Sequence, residues 1–481
     1  MMLVIRLRES VVALRFGSLM ALLVLVGVGC GVESKTVSES KPVVTDVVEE
    51  HRTALDTYVD AADDTFAYGD ATVVKKDGYT SYAYHMTSQT WLDTSKIDRT
   101  AWKHWVKLYV PDEITFSKAL LFVNGGSNGR TEAPGPNDAL ALIAIQTKTI
   151  VVDVGQIPNQ PFNFPDEPLE KYKNGGRGED AFIAYCWDKF LKTSDPLWLP
   201  RLPMTKAVVR AMDLAQAEQP ALDGFFIVGG SKRGWTTWTV AAVDDRVFGI
   251  SPAVIDVLSV TESLENHFAA YGFWAPAVGN YEEMEIMPRM YTPEFAALCA
   301  VVDPISYVDR LTMPKYIVNS SGDQFFPPDS SKFYFDALQG EKHVRYMPNT
   351  DHGLNMEAYL NVASFYHALL TDTPRPEFTW KLAEDGALQV QCDSPPDKML
   401  LWQAHNPEAR DFRLESVGAV WKSTPVEVSS DGSYEVKPEI APEGWTAFFV
   451  EVEFPNADFT MPFKFTTGIS ILPDTLPHAR N

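Results

Sequence analysis

Metal chemistry is the first thing this sequence makes no provision for. No Cys-x-x-Cys pair and no His-Glu-x-x-His run occurs in its 481 residues, so neither a metal site nor a bound cofactor is expected. Cysteine itself is scarce. Four are present, and once Cys30 is assigned to an export signal, Cys186, Cys299 and Cys392 remain, far apart and in apolar settings such as AYCWD and ALCAV. Buried free thiols are expected, with one bridge as the alternative. Positive charge is also short: 41 basic residues face 64 acidic ones, a net charge of -23, which repels phosphate backbones and excludes nucleic acid as a partner. There are no internal repeats, and the apolar run Leu19 to Val28 is too short to span a bilayer comfortably. Apolar residues are not lacking. At 45% hydrophobic and 12% aromatic, the chain has the composition of a packed globule, and its length predicts a large domain joined to a smaller one.

The amino terminus carries the parts of an export signal over residues 1–30. Arg6, Arg8 and Arg15 are basic, Leu19 to Val28 is apolar, and Gly27-Val28-Gly29-Cys30 is a small-residue cleavage site. The VGVGC arrangement resembles a bacterial lipoprotein processing site, with glycine where leucine is commonest. It predicts an exported cell-envelope lipoprotein acylated on Cys30 and held to the membrane by its lipid, with plain secretion as the alternative. Residues 31–50 would be the tether.

Strand-like runs come next at Tyr79 to Trp91 and Trp102 to Val110, then a fully apolar run at Lys118 to Val123. A helix is expected over Asp138 to Thr147 and a buried strand over Thr149 to Val154. A long irregular insert precedes the next helix, Met204 to Gln216. Strands at Phe225 to Val228, Val247 to Val254, Lys315 to Asn319 and His343 to Met347 alternate with helices at Trp235 to Val243, Ser330 to Leu338 and Met356 to Leu370. Continuous apolar strands alternating with helices predict an α/β fold, a doubly wound and mostly parallel sheet covered on both faces, over residues 51–373. Residues 259–310, rich in aromatics and methionine, fall where a helical lid insertion could roof a pocket. From residue 374 the texture changes to short alternating runs broken by Gly, Pro, Asp and Asn, which predicts a small all-β sandwich domain over 374–481.

The chemistry concentrates in GFFIVGGSKRGWTTWTVAA, residues 224–242, which spells strand, sharp turn, helix. Such a turn holds Ser231 with its hydroxyl exposed at a helix amino terminus. Gly125 to Gly129 also spells Gly-x-Ser-x-Gly, around Ser127. The residues after Ser127, NGRTEAPGP, cannot form a helix, however, so Ser127 is assigned to a loop that contributes to an oxyanion hole. The amides of Gly126 and Lys232 are the expected donors, with Gly125 permitting close backbone approach. A serine hydroxyl needs an imidazole to take its proton and a carboxylate to orient that imidazole. His352, in a turn of Asn, Asp and Gly before the closing helix, is the expected base, with His267 as runner-up. Asp323 is the expected acid and Asp256 its rival from one strand earlier; Asp351 is read as a turn residue. Lys232 and Arg233 could hold a substrate carboxylate, but Arg233 could equally pair with Glu179 or Asp180. The loop Gln156 to Gln160 is read as a turn or as pocket lining.

The segments GGSKRGW, IVVDVGQIPNQP, GEDAFIAYCW, LPMTKAVVRAMD, DPISYVDRLTMPKYIVNSSGDQFFPPD, RDFR and GWTAFFVEVEF resemble the PhoPQ-activated pathogenicity-related protein family. The likeness runs from about His51 to the end. It implies an α/β-hydrolase fold with a serine-hydrolase-like triad on exported proteins, and Ser231, Asp323 and His352 match that pattern. With Gly234 three places after the serine, the elbow also resembles that of glucuronoyl esterases. The resulting expectation is an exported serine hydrolase that cleaves a small-molecule ester or peptide through an acyl-serine intermediate. An esterase is favoured over a small-peptide hydrolase, and a non-catalytic binding or signalling protein on the same scaffold is the alternative.

Overall fold

The computed structural model of the chain describes residues 52–429 and 431–479; the expected export signal, Cys30 and the tether lie outside them. The first helix, α1 (Ala54–Asp60), is followed by β1 (Ala67–Tyr68), β2 (Thr72–Lys76), β3 (Tyr79–Thr90), β4 (Ala101–Pro111) and β5 (Lys118–Val123). Next come α2 (Asp138–Thr147), β6 (Ile150–Val154), α3 (Glu179–Thr193), α4 (Arg201–Glu218), β7 (Gly224–Gly230), α5 (Lys232–Val243) and β8 (Val247–Ala253). A helical insertion holds α6 (Val260–Tyr271), α7 (Gly279–Glu283) and α8 (Pro293–Val302), after which β9 (Lys315–Ser320), β10 (Lys342–Met347) and α9 (Met356–Leu370) complete the α/β part.

The central strands run in the order β4-β6-β5-β7-β8-β9-β10. Every pair from β6 to β10 is parallel, and β4 joins antiparallel. The chain moves outward from β5 to β6, then returns past β5 to lay down β7 and winds the other way. This reversal opens a crevice above the carboxyl ends of β5 and β7, where doubly wound sheets bind ligands. The pleat divides the strands between two cores. Ala119, Leu121, Val123, Phe225 and Ile227 face the side covered by α3, α4 and α5. Leu120, Phe226 and Val228 face the side covered by α2 and α9. The expected α/β architecture with its helical insertion is thus present.

Two expectations are corrected. The stretch after β6 is not wholly irregular, because α3 lies inside it. The helix expected over Ser330 to Leu338 is a 3-10 turn of Ser330–Phe333 only. Beyond it, the carbonyls of Phe335, Asp336 and Leu338 accept hydrogen bonds from Lys342 Nζ at 2.8, 3.1 and 2.9 Å, an alternative to a helical ladder.

The carboxyl-terminal region is antiparallel throughout: β11 (Phe378–Leu382), β12 (Leu388–Cys392), β13 (Lys398–Asn406), the short helix α10 (Leu414–Val417), β14 (Lys422–Pro425), β15 (Ser433–Val436), β16 (Trp445–Phe454), β17 (Phe463–Thr466) and β18 (Ser470–Leu472). One leaf is the three-stranded sheet β11-β12-β15. The other, β17-β16-β13-β14, continues the central sheet through the antiparallel pair β10–β17. Leu388, Val390 and Tyr434 of the first leaf share one apolar cluster with Met399, Leu401, Phe448 and Val450 of the second, and that cluster runs on under α9. The two leaves therefore pack as a sandwich whose larger leaf belongs to the central sheet. Cys186, Cys299 and Cys392 are all unbridged, the first and last buried.

Candidate active site

Ser231 stands between β7 and α5 with φ 58° and ψ -131°, a left-handed backbone that costs a non-glycine residue roughly 1–3 kcal/mol and persists only where the surroundings impose it. Here they do. A Cβ on Gly229 would lie 2.6 Å from the Arg233 carbonyl oxygen, and one on Gly234 would lie 2.8 Å from that of Gly229. Only glycine at both places lets the helix start this close to the strand. The amide of Ser231 donates to Ala253 O at 2.8 Å, and its carbonyl accepts from Trp235 N at 2.9 Å. Among the described residues, the Ser231 hydroxyl has no hydrogen-bond partner.

The loop after β5 comes to the same place. Gly126, with φ 125°, lines a cavity together with Gly125, Ser231 and His352. Among the described residues the amides of Gly126 and Lys232 have no acceptor. The loop is clamped from below: Gln156 N donates to Gly125 O at 2.8 Å and Ile157 N to Asn124 O at 3.1 Å. Residues Gln156 to Gln160 thus support the loop that carries Gly126. A Cβ on Gly125 would meet Arg233 Nη2 at 2.6 Å, so this glycine lets the loop rest on a guanidinium. Ser127 is exposed.

Arg233 is held within the protein. Its Nε donates to Ile157 O at 2.5 Å and its Nη2 pairs with Glu179 Oε1 at 2.6 Å. Lys232 Nζ bridges Glu179 Oε2 and Asp180 Oδ2, each at 3.0 Å. Burial alone would raise the Glu179 carboxyl, but Arg233 and Lys232 outweigh it and hold it at about 2. Two cations beside the serine are thus matched by two anions at the start of α3, which favours the structural assignment of Arg233 over recognition of a substrate carboxylate.

Asp323 and His352 come together from the loops after β9 and β10. His352 Nδ1 is 2.8 Å from Asp323 Oδ2 and 3.1 Å from Oδ1. Asp323 is 3% exposed, and its Oδ1 also accepts Phe325 N at 2.8 Å. The ring of Phe325 packs on the imidazole at 4.4 Å between centroids. His352 Nε2 is buried and unpartnered, so the imidazole is oriented through one nitrogen and free at the other. No hydrogen bond joins it to Ser231 Oγ; hydrogen bonds between groups that react together often tighten only once a ligand is bound.

The rival candidates have other partners. Asp256 accepts hydrogen bonds from the Tyr334 and Tyr346 hydroxyls, both at 2.6 Å, and, among the described residues, from no histidine; burial pushes its carboxyl up to about 7. His267 Nε2 accepts Ala275 N at 3.0 Å, and its Nδ1 lies 3.2 Å from Phe325 O. Asp351 Oδ1 accepts Gly353 N at 2.8 Å, the turn role expected of it.

Sequence reasoning missed what fastens the acid and histidine loops. Leu414 N donates to Gly322 O at 2.9 Å. Asn349 exchanges two hydrogen bonds with the Trp421 backbone, at 3.0 and 2.9 Å. Arg410, 1% exposed, pairs with Asp329 at 2.8 Å. The RDFR segment contains Arg410, yet nothing local in it says which loop it grips.

The family model described as PhoPQ-activated pathogenicity-related protein matches residues 55–413. The autocrine proliferation repressor protein A of Dictyostelium discoideum is 36% identical over 458 residues, 88% of this chain and 91% of that one. An acetyl esterase of Xylanibacter ruminicola is 28% identical over 156 residues, 31% of this chain and 32% of that enzyme. Among solved structures, an acetyl xylan esterase from Paenibacillus superposes on 66% of this chain and 92% of its own, with a TM-score of 0.48 at 14% identity.

Proposed function

The chain belongs to the PhoPQ-activated pathogenicity-related protein family, and from that premise we propose that it is a serine hydrolase cleaving an ester or amide through an acyl-serine intermediate. Ser231 attacks the carbonyl carbon while His352 Nε2 takes its proton, and Asp323 holds the imidazole through Nδ1 and stabilises the charge it gains. The amides of Gly126 and Lys232 donate to the oxyanion. His352 then returns the proton to the leaving group, and water releases the acyl group by the same route. The observation that carries this reading is the His352–Asp323 pair, in which His352 has one unpartnered nitrogen and lines the cavity that also holds the strained, unpartnered Ser231. An esterase is favoured, in keeping with the acetyl esterase relative. Export as a lipoprotein anchored through Cys30 is part of the same proposal.

Ser231→Ala is expected to abolish labelling by a fluorophosphonate probe and to lower ester turnover by about 10³- to 10⁶-fold. Retained labelling would move the nucleophile elsewhere. The relative named for repression of proliferation supports a second reading, a binding protein on a hydrolase scaffold. A Ser231→Ala protein with full biological activity and no labelling would establish it.

A further inference from the structure

Ser231 lines two cavities that differ in breadth and polarity. On the side of Gly126 and His352 the cavity is broad, leaving the centre of a water-sized sphere about 540 Å³ in which to move, and mixed, with Asn124, Gly125 and Arg233 beside Phe122, Leu354 and Tyr359 in its walls. On the other side, beneath the helical insertion, a much narrower cavity, about 70 Å³ on the same measure, is walled by Trp187, Trp235, Val257, Val278, Ile286 and Phe326.

Most polar groups in the second cavity are already engaged. Lys232 Nζ pairs with Asp180 at 3.0 Å, and Tyr281 donates to Asp180 at 3.2 Å. Ser263 donates to Leu258 O at 3.1 Å and Ser330 to Pro327 O at 2.7 Å. Both ring nitrogens of His267 are occupied, and burial depresses its pKa to about 4, so it is neutral at physiological pH. A sugar or an amino-acid ammonium placed there would lose water and find little to replace it, since the carboxylate of Asp180 is already shared by Lys232 and Tyr281. Among the described lining residues, the Ser231 hydroxyl and the Trp187 indole N–H are the polar groups without a hydrogen bond.

Resting on the serine-hydrolase reading, we propose that the cavity under the insertion is the acyl subsite, built for an unbranched apolar acyl group of medium length, and that the broad cavity takes the leaving alcohol. In the acylation step the carbonyl carbon bonds to Ser231 Oγ and its bond to the alkoxy oxygen breaks. The serine proton passes through His352 to that oxygen, and water later adds across the acyl-serine bond. The acid released is a medium-chain carboxylic acid.

The test is a series of p-nitrophenyl esters from acetate to decanoate on the full chain. The expected result is a rise in kcat/KM of about fourfold per methylene, the factor set by burying one CH₂, through at least hexanoate, and a fall once the cavity is full. Hexylboronic acid should inhibit far more tightly than methylboronic acid. Leu264→Trp, which adds bulk from α6, should collapse the hexanoate-to-acetate ratio. If Ser231 is labelled by fluorophosphonate but acetate is turned over as well as hexanoate, and the two boronic acids inhibit alike, the acyl assignment falls while the nucleophile stands. If Ser231 is not labelled and no ester is cleaved, the serine-hydrolase reading falls and takes the acyl subsite with it.

Discussion

Ser231 owes its position to one strand–turn–helix unit, residues 224–243, in which two glycines let backbone meet backbone. Asp323 and His352 owe theirs to chain that lies much later in the sequence. Gly322 is tied to Leu414, Asn349 to Trp421, and Asp329 to Arg410. The serine is fixed by steric exclusion, which side chains elsewhere cannot easily loosen. The carboxylate and imidazole are fixed by a few hydrogen bonds across a long separation. The first kind of constraint is stiff and local; the second is replaceable and leaves these loops open to adjustment from a distance.

The comparison is sharpest at the two carboxylates. Asp323→Asn should lower ester turnover by ~10³- to 10⁴-fold, because the amide favours the wrong imidazole tautomer, while Asp256→Asn leaves turnover close to wild type. The reverse result would move the acid to the earlier strand. Next in size, Gly234→Ala forces a Cβ to 2.8 Å from a backbone oxygen and should cost roughly 1–3 kcal/mol in denaturant unfolding, slowing fluorophosphonate labelling along with turnover. Asn349→Ala removes two hydrogen bonds at a cost of about 1–3 kcal/mol and should weaken turnover while leaving the Ser231 backbone undisturbed. Equal losses of labelling and turnover in both variants would dissolve the distinction between the two halves.

The last effect is a pH dependence, read in stability and not in turnover. Asp256 titrates near 3.8 when unfolded and near 7 in the fold, so between those values the native state holds a proton that the unfolded chain has released. Stability from this group is complete below the lower value and is lost as pH rises through about 7. Melting temperatures measured from pH 4 to pH 8 should show that component in the wild type and lack it in Asp256→Asn.

Legibility in the sequence divides along the same line. The elbow could be read because strand, turn and helix are contiguous, and the structure sets Ser231, and not Ser127, at such a corner. Ser231, Asp323 and His352 could be placed in order because each comes after a parallel strand. Helix α3 was obscured. It lies beyond Pro158, Pro161, Pro165 and Pro168, and Ala181 to Asp188 are buried all round, so no polar face marks a helical period. The segment Ser330 to Leu338 has helical spacing, but Lys342 supplies an alternative home for its carbonyls. The attachment of β17 to β10 had no local signature, because pairing partners in a sheet are chosen by tertiary packing and not by the strand's own pattern.

That attachment has a consequence for how the chain avoids its own kind. A parallel sheet ending at β10 would present a row of unpaired amides and carbonyls, a ready template for another molecule's strand. β17 begins to close that row at Val344 and Thr466, and β16, β13 and β14 carry the sheet onward. A protein cut after α9 would bare both this row and the apolar patch beneath α9, and self-association would ensue. The carboxyl-terminal strands are in this sense a built-in guard against polymerisation.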